Sequence, residues 1–162
     1  MVWALFYCYD FNMYRYFNPN PIKDKQTGDC TVRAICAATG MSWDEAFDEL
    51  CEKAKEMGEM PSSNNAWGQY LQDIGFIYRA IPNTCPFCYT AADFCADHPC
   101  GTFILGTGTH VICVRNGVIL DAWDSSDKVP LYCFYRKGRK RTIIRLFTRR
   151  ITRSFKMYTS RL

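Results

Sequence analysis

The chain has 162 residues, of which 48% are hydrophobic and 15% aromatic, a composition that suits one globular domain and excludes a predominantly disordered chain. Its net charge of +4 conceals an asymmetry, because residues 1–135 carry 9 basic and 16 acidic side chains whereas residues 136–162 carry 11 basic and no acidic ones. We therefore distinguish a body, residues 1–135 with a net charge of −7, from a basic tail, residues 136–162.

The ten cysteines predict a reduced, cytoplasmic protein. The same number could form a disulfide framework in a secreted chain, but the first ten residues lack the basic segment and the small-residue cleavage site of a signal peptide. Their apolar run is also too short to span a bilayer. We therefore expect free thiols.

Helix caps, turn residues and hydrophobic periodicity predict four helices followed by a set of strands. In chain order these are one or two strands in residues 2–17, helices at 30–39, between Ser42 and Gly58 and at 66–74, a strand at 76–81, a short helix between Thr90 and His98, and strands at 102–105, 109–115, 118–123 and 129–135. Helices before an antiparallel sheet predict an α+β domain with two subdomains that face each other.

Cys30 is placed in the first turn of the predicted helix 30–39, directly after a turn at Gly28 and Asp29. The unpaired backbone N–H groups and the positive end of the helix dipole favour a thiolate there. Cys30 is therefore a candidate nucleophile, although free cysteines are also common as buried small hydrophobes. We expect Asp29 to fix the turn or cap the helix, with substrate binding as a further candidate role, and we expect Arg33 to pair with Asp29 or another carboxylate.

His110 and Asp121 are expected to lie side by side. The Asn116-Gly117 sequence predicts a tight hairpin, which pairs residues that are roughly symmetric about it. The hairpin brings the Asp121 carboxylate within reach of the His110 ring, and Asp124 is the alternative acid. A thiolate, an imidazole and an acid that orients the imidazole are what a cysteine hydrolase needs.

The segments around these residues resemble papain-like cysteine peptidases. In that superfamily a cysteine begins a central helix, and a histidine and an Asn or Asp come from a sheet. Asp121-Ala122-Trp123 is similar to its Asn-Ser-Trp motif, which implies a substrate-binding place for Trp123. The superfamily also has a glutamine before the nucleophile as an oxyanion-hole donor. Gln26 is the only candidate for it, four residues before Cys30, where six is more usual.

A resemblance that covers nearly the whole chain is to small cysteine-peptidase-like proteins of Firmicutes bacteria and their phages. It implies the fold and the site, no cofactor, and host cytoplasm as the location if the chain is phage-encoded. The segments that carry it are Phe-Asn-Pro-Asn-Pro at 17–21, Gly-Asp-Cys-Thr-Val-Arg-Ala-Ile at 28–35, Met-Pro-Ser-Ser-Asn at 60–64, Pro-Asn-Thr-Cys-Pro-Phe-Cys-Tyr-Thr at 82–90, His-Pro-Cys-Gly-Thr at 98–102 and Asp-Ala-Trp-Asp-Ser at 121–125.

A zinc site is an alternative interpretation of the cysteines near position 90. Cys85 and Cys88 have the spacing of a metal knuckle, but Cys95 and Cys100 do not form a second close pair. Buried or loop-packed thiols are the default, so we expect no metal.

The leading hypothesis is a papain-like thiol hydrolase acting on a peptide or isopeptide bond, with an amidase or acyl transferase as the alternative within the same chemistry. A different alternative is a phage or bacterial binding protein on the same scaffold that sequesters a host factor or nucleic acid. The basic tail, with apolar residues spaced by three or four, could contact nucleic acid or a membrane surface, or it could pack on the acidic body.

Overall fold

The computed structural model describes residues 13–22, 28–82 and 85–136. Those ranges contain four helices and six strands. In chain order they are β1 (Tyr14–Tyr16), α1 (Cys30–Thr39), α2 (Trp43–Met57), α3 (Asn64–Asp73), β2 (Ile77–Ala80), α4 (Ala91–Asp97), β3 (Thr102–Gly106), β4 (Val111–Arg115), β5 (Val118–Asp121) and β6 (Tyr132–Tyr135). The predicted α+β class is confirmed, and each predicted helix is present with its ends within about two residues.

All six strands form one mixed sheet in the order β1-β5-β4-β3-β6-β2. Four of the five pairings are antiparallel, but β1 runs parallel to β5. The predicted C-terminal antiparallel sheet gains a strand from the N-terminal half at each edge. Strand β2 joins it antiparallel, but β1 joins it parallel, so the prediction of a purely antiparallel sheet is wrong at the β1 edge. Strand β1 pairs with the edge of β5 through two backbone hydrogen bonds. Ile119 N donates to Met13 O and Phe17 N donates to Asp121 O, each over 2.7 Å.

Side chains alternate across the sheet and build two cores. Val111 and Cys113 of β4 belong to the core shared with α1, α2 and α3, whereas Ile112 and Val114 belong to the core under α4. The helices thus cover both faces of the sheet. This layered packing replaces the two facing subdomains that the order of elements predicts.

Helix α1 lies in the middle of the first core, and seven of its ten residues are buried. Ile35 is fully buried, which contributes roughly 1.5–3 kcal/mol relative to an exposed side chain. The helix ends at Gly40, whose φ of 86° is left-handed and whose N–H donates to Cys36 O over 2.8 Å. Tight packing on the sheet fixes the direction in which the first turn of α1, with Cys30, points.

Helix α2 begins with the predicted capping box. The Ser42 hydroxyl accepts from Glu45 N over 3.3 Å, and the Glu45 carboxylate accepts from Ser42 N over 2.9 Å. We expect Ser42→Ala to lower the free energy of unfolding by about 1 kcal/mol, because one N–H of the first turn loses its partner. Denaturant unfolding measures this, with Ser62→Ala, an exposed loop serine, as the control expected to stay within about 0.5 kcal/mol. Equal effects of the two variants would contradict the prediction.

No helix within residues 13–22, 28–82 and 85–136 is both long enough and apolar enough to cross a membrane. Most of residues 2–17 and nearly all of the basic tail lie outside the described residues, as does Gln26. The structure therefore bears on neither the oxyanion role predicted for Gln26 nor the anionic partner predicted for the tail.

Candidate active site

Three chain segments converge at one end of the sheet. Cys30 is the first residue of α1, His110 immediately precedes β4, and Asp121 is the last residue of β5. Cys30 is partly exposed, whereas His110 and Asp121 are buried. The structure thus brings together the three side chains that the sequence singled out.

The His110–Asp121 contact follows from the hairpin between β4 and β5. Asn116 and Gly117 have φ values of 53° and 74°, the positive values that a tight two-residue hairpin requires. The strands pair Cys113 with Leu120, which leaves the two side chains at the open end of the hairpin. His110 Nε2 lies 2.6 Å from Asp121 Oδ2, so the predicted proximity is confirmed.

Asp121 is held by further donors on both of its oxygens. Ser125 Oγ donates to Oδ2 over 2.9 Å, and the Ala122 N–H donates to Oδ1 over 2.7 Å. The carboxylate is only 3% exposed. A buried acid in this arrangement is restricted to one orientation and aims Oδ2 at the His110 ring.

The surroundings of Cys30 favour its thiolate. Burial opposes ionisation of the thiol, but hydrogen bonds from the His110 ring and from the Val111 backbone N–H outweigh that effect and lower the pKa of Cys30. The Thr31 hydroxyl and the charge of His110 act in the same direction. Since Asp121 occupies Nε2 of the imidazole, Nδ1 is the ring nitrogen left for the sulfur.

The surroundings of His110 favour its imidazolium form. Burial by itself lowers the pKa of His110, but hydrogen bonds to Asp121 and Cys30, with the negative charges of both, raise it to about 9. The pKa of the thiol and that of the imidazole therefore shift towards each other, as a thiolate–imidazolium pair requires.

Trp123 covers the imidazole from one side. Its ring is stacked on His110 with centroids 4.4 Å apart, and the guanidinium carbon of Arg33 lies 5.4 Å from the Trp123 ring centroid. The side chain is 46% exposed, so part of it borders solvent at the site. Contact with a substrate, the role predicted for Trp123, stays a prediction.

Asp29 lies at the predicted N-cap position of α1, where its backbone O accepts from Arg33 N over 3.0 Å. Its side chain makes no cap hydrogen bond at the start of α1. The carboxylate is buried and accepts from Asn20 Nδ2 over 2.8 Å, from Trp43 Nε1 over 3.0 Å and from Arg33 Nη1. Asn20 and Trp43 reach Asp29 from outside α1, and Arg33 reaches it from within the helix. The substrate-binding role predicted for Asp29 stays a prediction. The predicted pairing of Arg33 with Asp29 is confirmed.

Asp124, the alternative third member of the triad, lies on the exposed turn after β5. Its Oδ1 accepts from Ser126 N over 3.0 Å, which stabilises the turn. It makes no hydrogen bond to His110 among the described contacts, because the chain has already turned away from the imidazole. Of the two candidate acids, Asp121 is the one that the fold places in contact with His110.

The four cysteines of the zinc reading are not brought together. Cys95 is buried in the core under α4, whereas Cys85, Cys88 and Cys100 are exposed. In the part of the chain that the structure describes, no group of three or more metal-binding side chains is assembled. Cys95 lies on the apolar face of α4 and is therefore not placed to complete a site with the exposed thiols.

Sequence reasoning missed Ser125, and it named Arg33 only as an ion-pair partner of Asp29 or another carboxylate, without a place at the site. Ser125 is fully buried and bonded to Asp121, and Arg33 lies 3.6 Å from Asp121 through Nη2 in addition to its pair with Asp29. Their only sequence signal is position, because Ser125 follows Asp121 by four residues and Arg33 follows Cys30 by one helical turn. Comparison of the chain with protein-family models, with curated proteins and with solved structures gives no match.

Proposed function

We propose that the chain is a thiol hydrolase that cleaves a peptide or isopeptide bond with Cys30, His110 and Asp121. One observation carries the proposal: a single buried imidazole joins a cysteine at the start of a helix to a buried carboxylate. A cysteine of purely structural use needs neither a lowered pKa nor an imidazole with a raised one.

The proposed reaction has two halves, acylation of Cys30 and hydrolysis of the thioester, and His110 transfers one proton in each. The Cys30 thiolate attacks the carbonyl carbon. The oxyanion that forms accepts a hydrogen bond from the Cys30 backbone N–H, and Gln26 is the proposed second donor. The His110 imidazolium gives its proton to the leaving amine as the C–N bond breaks. Neutral His110 then takes a proton from water as the water oxygen attacks the thioester, and breaking of the C–S bond releases the acid and the Cys30 thiolate beside the His110 imidazolium.

The arrangement also supports a papain-like scaffold. The proposed nucleophile begins a helix that is buried against a sheet, the imidazole comes from the residue before β4, and the acid comes from the end of the neighbouring strand β5. This is the placement that the sequence resemblance implies. The amidase and acyl transferase alternatives use the same groups and differ only in the bond cleaved or in the acceptor that replaces water.

The first test is alkylation of the folded protein by iodoacetamide between pH 4 and pH 10, with modified sites located by mass spectrometry. We expect Cys30 to react at least about tenfold faster at pH 6 than an ordinary thiol of pKa about 8.5. The rate falls as the pH drops through the lowered pKa of Cys30, because the thiolate takes up a proton. Above about pH 9 the His110 imidazolium loses its proton, and the thiolate loses its cationic partner.

His110→Ala is the matched variant for this experiment. It removes the hydrogen bond and the charge that lower the pKa of Cys30, so we expect Cys30 to lose its advantage at pH 6. The exposed thiols Cys85 and Cys88 serve as internal controls, because they lie away from His110 on the loop before α4. A wild-type Cys30 that reacts no faster than these two thiols would overturn the proposal and favour the binding-protein alternative.

The bond cleaved is identified with a peptide library and isopeptide-linked substrates, analysed by mass spectrometry against Cys30→Ala. Products that depend on Cys30 and contain a new carboxylate support hydrolysis. Products that carry an added amine instead would assign the same triad to acyl transfer.

A further inference from the structure

Arg33 is a buried guanidinium placed between two carboxylates. Its Nη1 donates to Asp29 Oδ1, and its Nη2 lies 3.6 Å from Asp121 Oδ1. Arg33 is only 5% exposed, and the two acids are also buried. The three side chains therefore join the start of α1 to the end of β5 beneath the candidate active site.

Pairing with Asp29 alone does not account for this guanidinium. Only Nη1 donates a hydrogen bond, whereas Nε and Nη2 are buried without a hydrogen-bond partner among the described residues. Burying such donors without partners costs free energy of folding. A buried ion pair often stabilises a fold no more than apolar side chains of similar size would, so stability alone is a weak reason for a guanidinium at this position. In the part of the chain that the structure describes, the charged group within ion-pair distance of Nη2 is the carboxylate that binds His110.

The two oxygens of Asp121 face different partners. Oδ2 faces His110 and Ser125, whereas Oδ1 faces the Ala122 N–H and Arg33. A cation at Oδ1 opposes rotation of the carboxylate and keeps the negative charge in place beside the imidazole. Arg33 is carried by the same helix as Cys30, so this contact also links the nucleophile's helix to the strand that holds the acid.

We propose that Arg33 is a positioning residue that acts through Asp121, holding the carboxylate so that His110 keeps Cys30 ionised. This inference rests on the proposed function, because it assigns Arg33 a task within that triad. The competing account is that Arg33 only neutralises Asp29 and stabilises the fold.

Within residues 13–22, 28–82 and 85–136, four charged or titratable side chains face Asp121. His110 precedes β4, Arg33 comes from α1, Tyr14 lies on the neighbouring strand β1, and Cys113 belongs to β4. Burial and the charge of Asp121 raise the pKa of Tyr14, and burial raises that of Cys113 to about 12. Both are neutral between pH 4 and pH 8, so Arg33 and His110 are the groups that respond to a change at Asp121 in that range.

The test is the pH profile of Cys30 alkylation in the full chain for three variants, with folding checked by thermal unfolding. We expect Arg33→Met to move the half-maximal rate about one pH unit higher, which makes alkylation about tenfold slower on the acid limb. Asp29→Asn leaves Arg33 free to act on Asp121, so its midpoint is expected at or below the wild-type pH. The double variant Asp29→Asn with Arg33→Met removes the pair without leaving an unneutralised Asp29, and it is expected to keep the upward shift.

The double variant decides between the two accounts. An upward midpoint in the double variant supports positioning through Asp121, whereas a return to the wild-type midpoint shows that Arg33 serves only Asp29 and overturns the inference. If Arg33→Met alone does not fold, the double variant carries the test, because its buried charges are balanced. Loss of selective Cys30 alkylation in the wild type would instead overturn the proposed function, so the two failures are distinguishable.

Discussion

Asp121→Asn is expected to slow turnover by about 10² to 10⁴ and to remove the preferential alkylation of Cys30 near pH 6. Each carboxylate oxygen accepts at least one hydrogen bond, from His110 and Ser125 on Oδ2 and from the Ala122 N–H on Oδ1. An asparagine has one acceptor oxygen, so in either orientation its NH₂ group faces a donor. The imidazole then loses the negative charge that helps to raise its pKa.

Asp124→Asn is the matched control for this prediction. Asp124 lies three residues further along the chain, is exposed, and accepts from Ser126 N on the turn. We expect its alkylation profile to match the wild type within twofold, on the order of the small effects typical of exposed sites. If the two variants changed the profile equally, Asp121 would not be the acid that orients His110. Thermal unfolding of both variants separates loss of the site from loss of the fold.

Trp67→Ala is expected to lower the free energy of unfolding by about 3–5 kcal/mol, out of a total of roughly 5–15 kcal/mol for a domain. Trp67 is 1% exposed and lies with its ring centroid 5.3 Å from that of Phe134 and 5.9 Å from that of Tyr132. Its indole also donates to Asn64 Oδ1 over 3.1 Å. Truncation leaves a cavity between α3 and the sheet that the surrounding rings can fill only in part.

The measurement is denaturant or thermal unfolding, in which this loss corresponds to about 10 °C or more in the unfolding temperature. Phe87→Ala is the control, because Phe87 is 85% exposed and its removal should change stability by less than about 0.5 kcal/mol. Below its unfolding temperature, Trp67→Ala should keep the pH midpoint of Cys30 alkylation, since Trp67 contacts no member of the triad in the described contacts. A shifted midpoint would show that packing under α3 controls the site.

Local chemistry made the helix ends predictable. Ser42 with Glu45 and Thr90 with Asp93 form capping boxes, and Gly40 and Gly58 take left-handed conformations that end α1 and α2. Each of these features depends on residues within about four positions of one another, so it can be identified without knowledge of the rest of the fold. The same holds for the hairpin at Asn116-Gly117, whose register set His110 beside Asp121.

Long-range pairing was not predictable in the same way. The short segment Tyr14–Tyr16 contains no signal for the direction in which it joins β5, and its parallel pairing depends on an edge that exists only after the β4–β5 hairpin has formed. The burial of Cys95 likewise depends on which face of α4 meets the sheet. Sequence pattern therefore favoured a simple antiparallel sheet and left Cys95 as a possible ligand.

The sequence by itself determined the helices, the hairpin and the identity of Cys30, His110 and Asp121 as the residues to consider, because caps, turns and strand register act over short stretches of chain. Only the tertiary structure decided that Asp29 is enclosed by Asn20, Trp43 and Arg33 and that Arg33 reaches Asp121. Those contacts join α1, α2, β5 and the segment after β1. Their positions relative to one another follow from packing on a shared sheet, which no local pattern encodes.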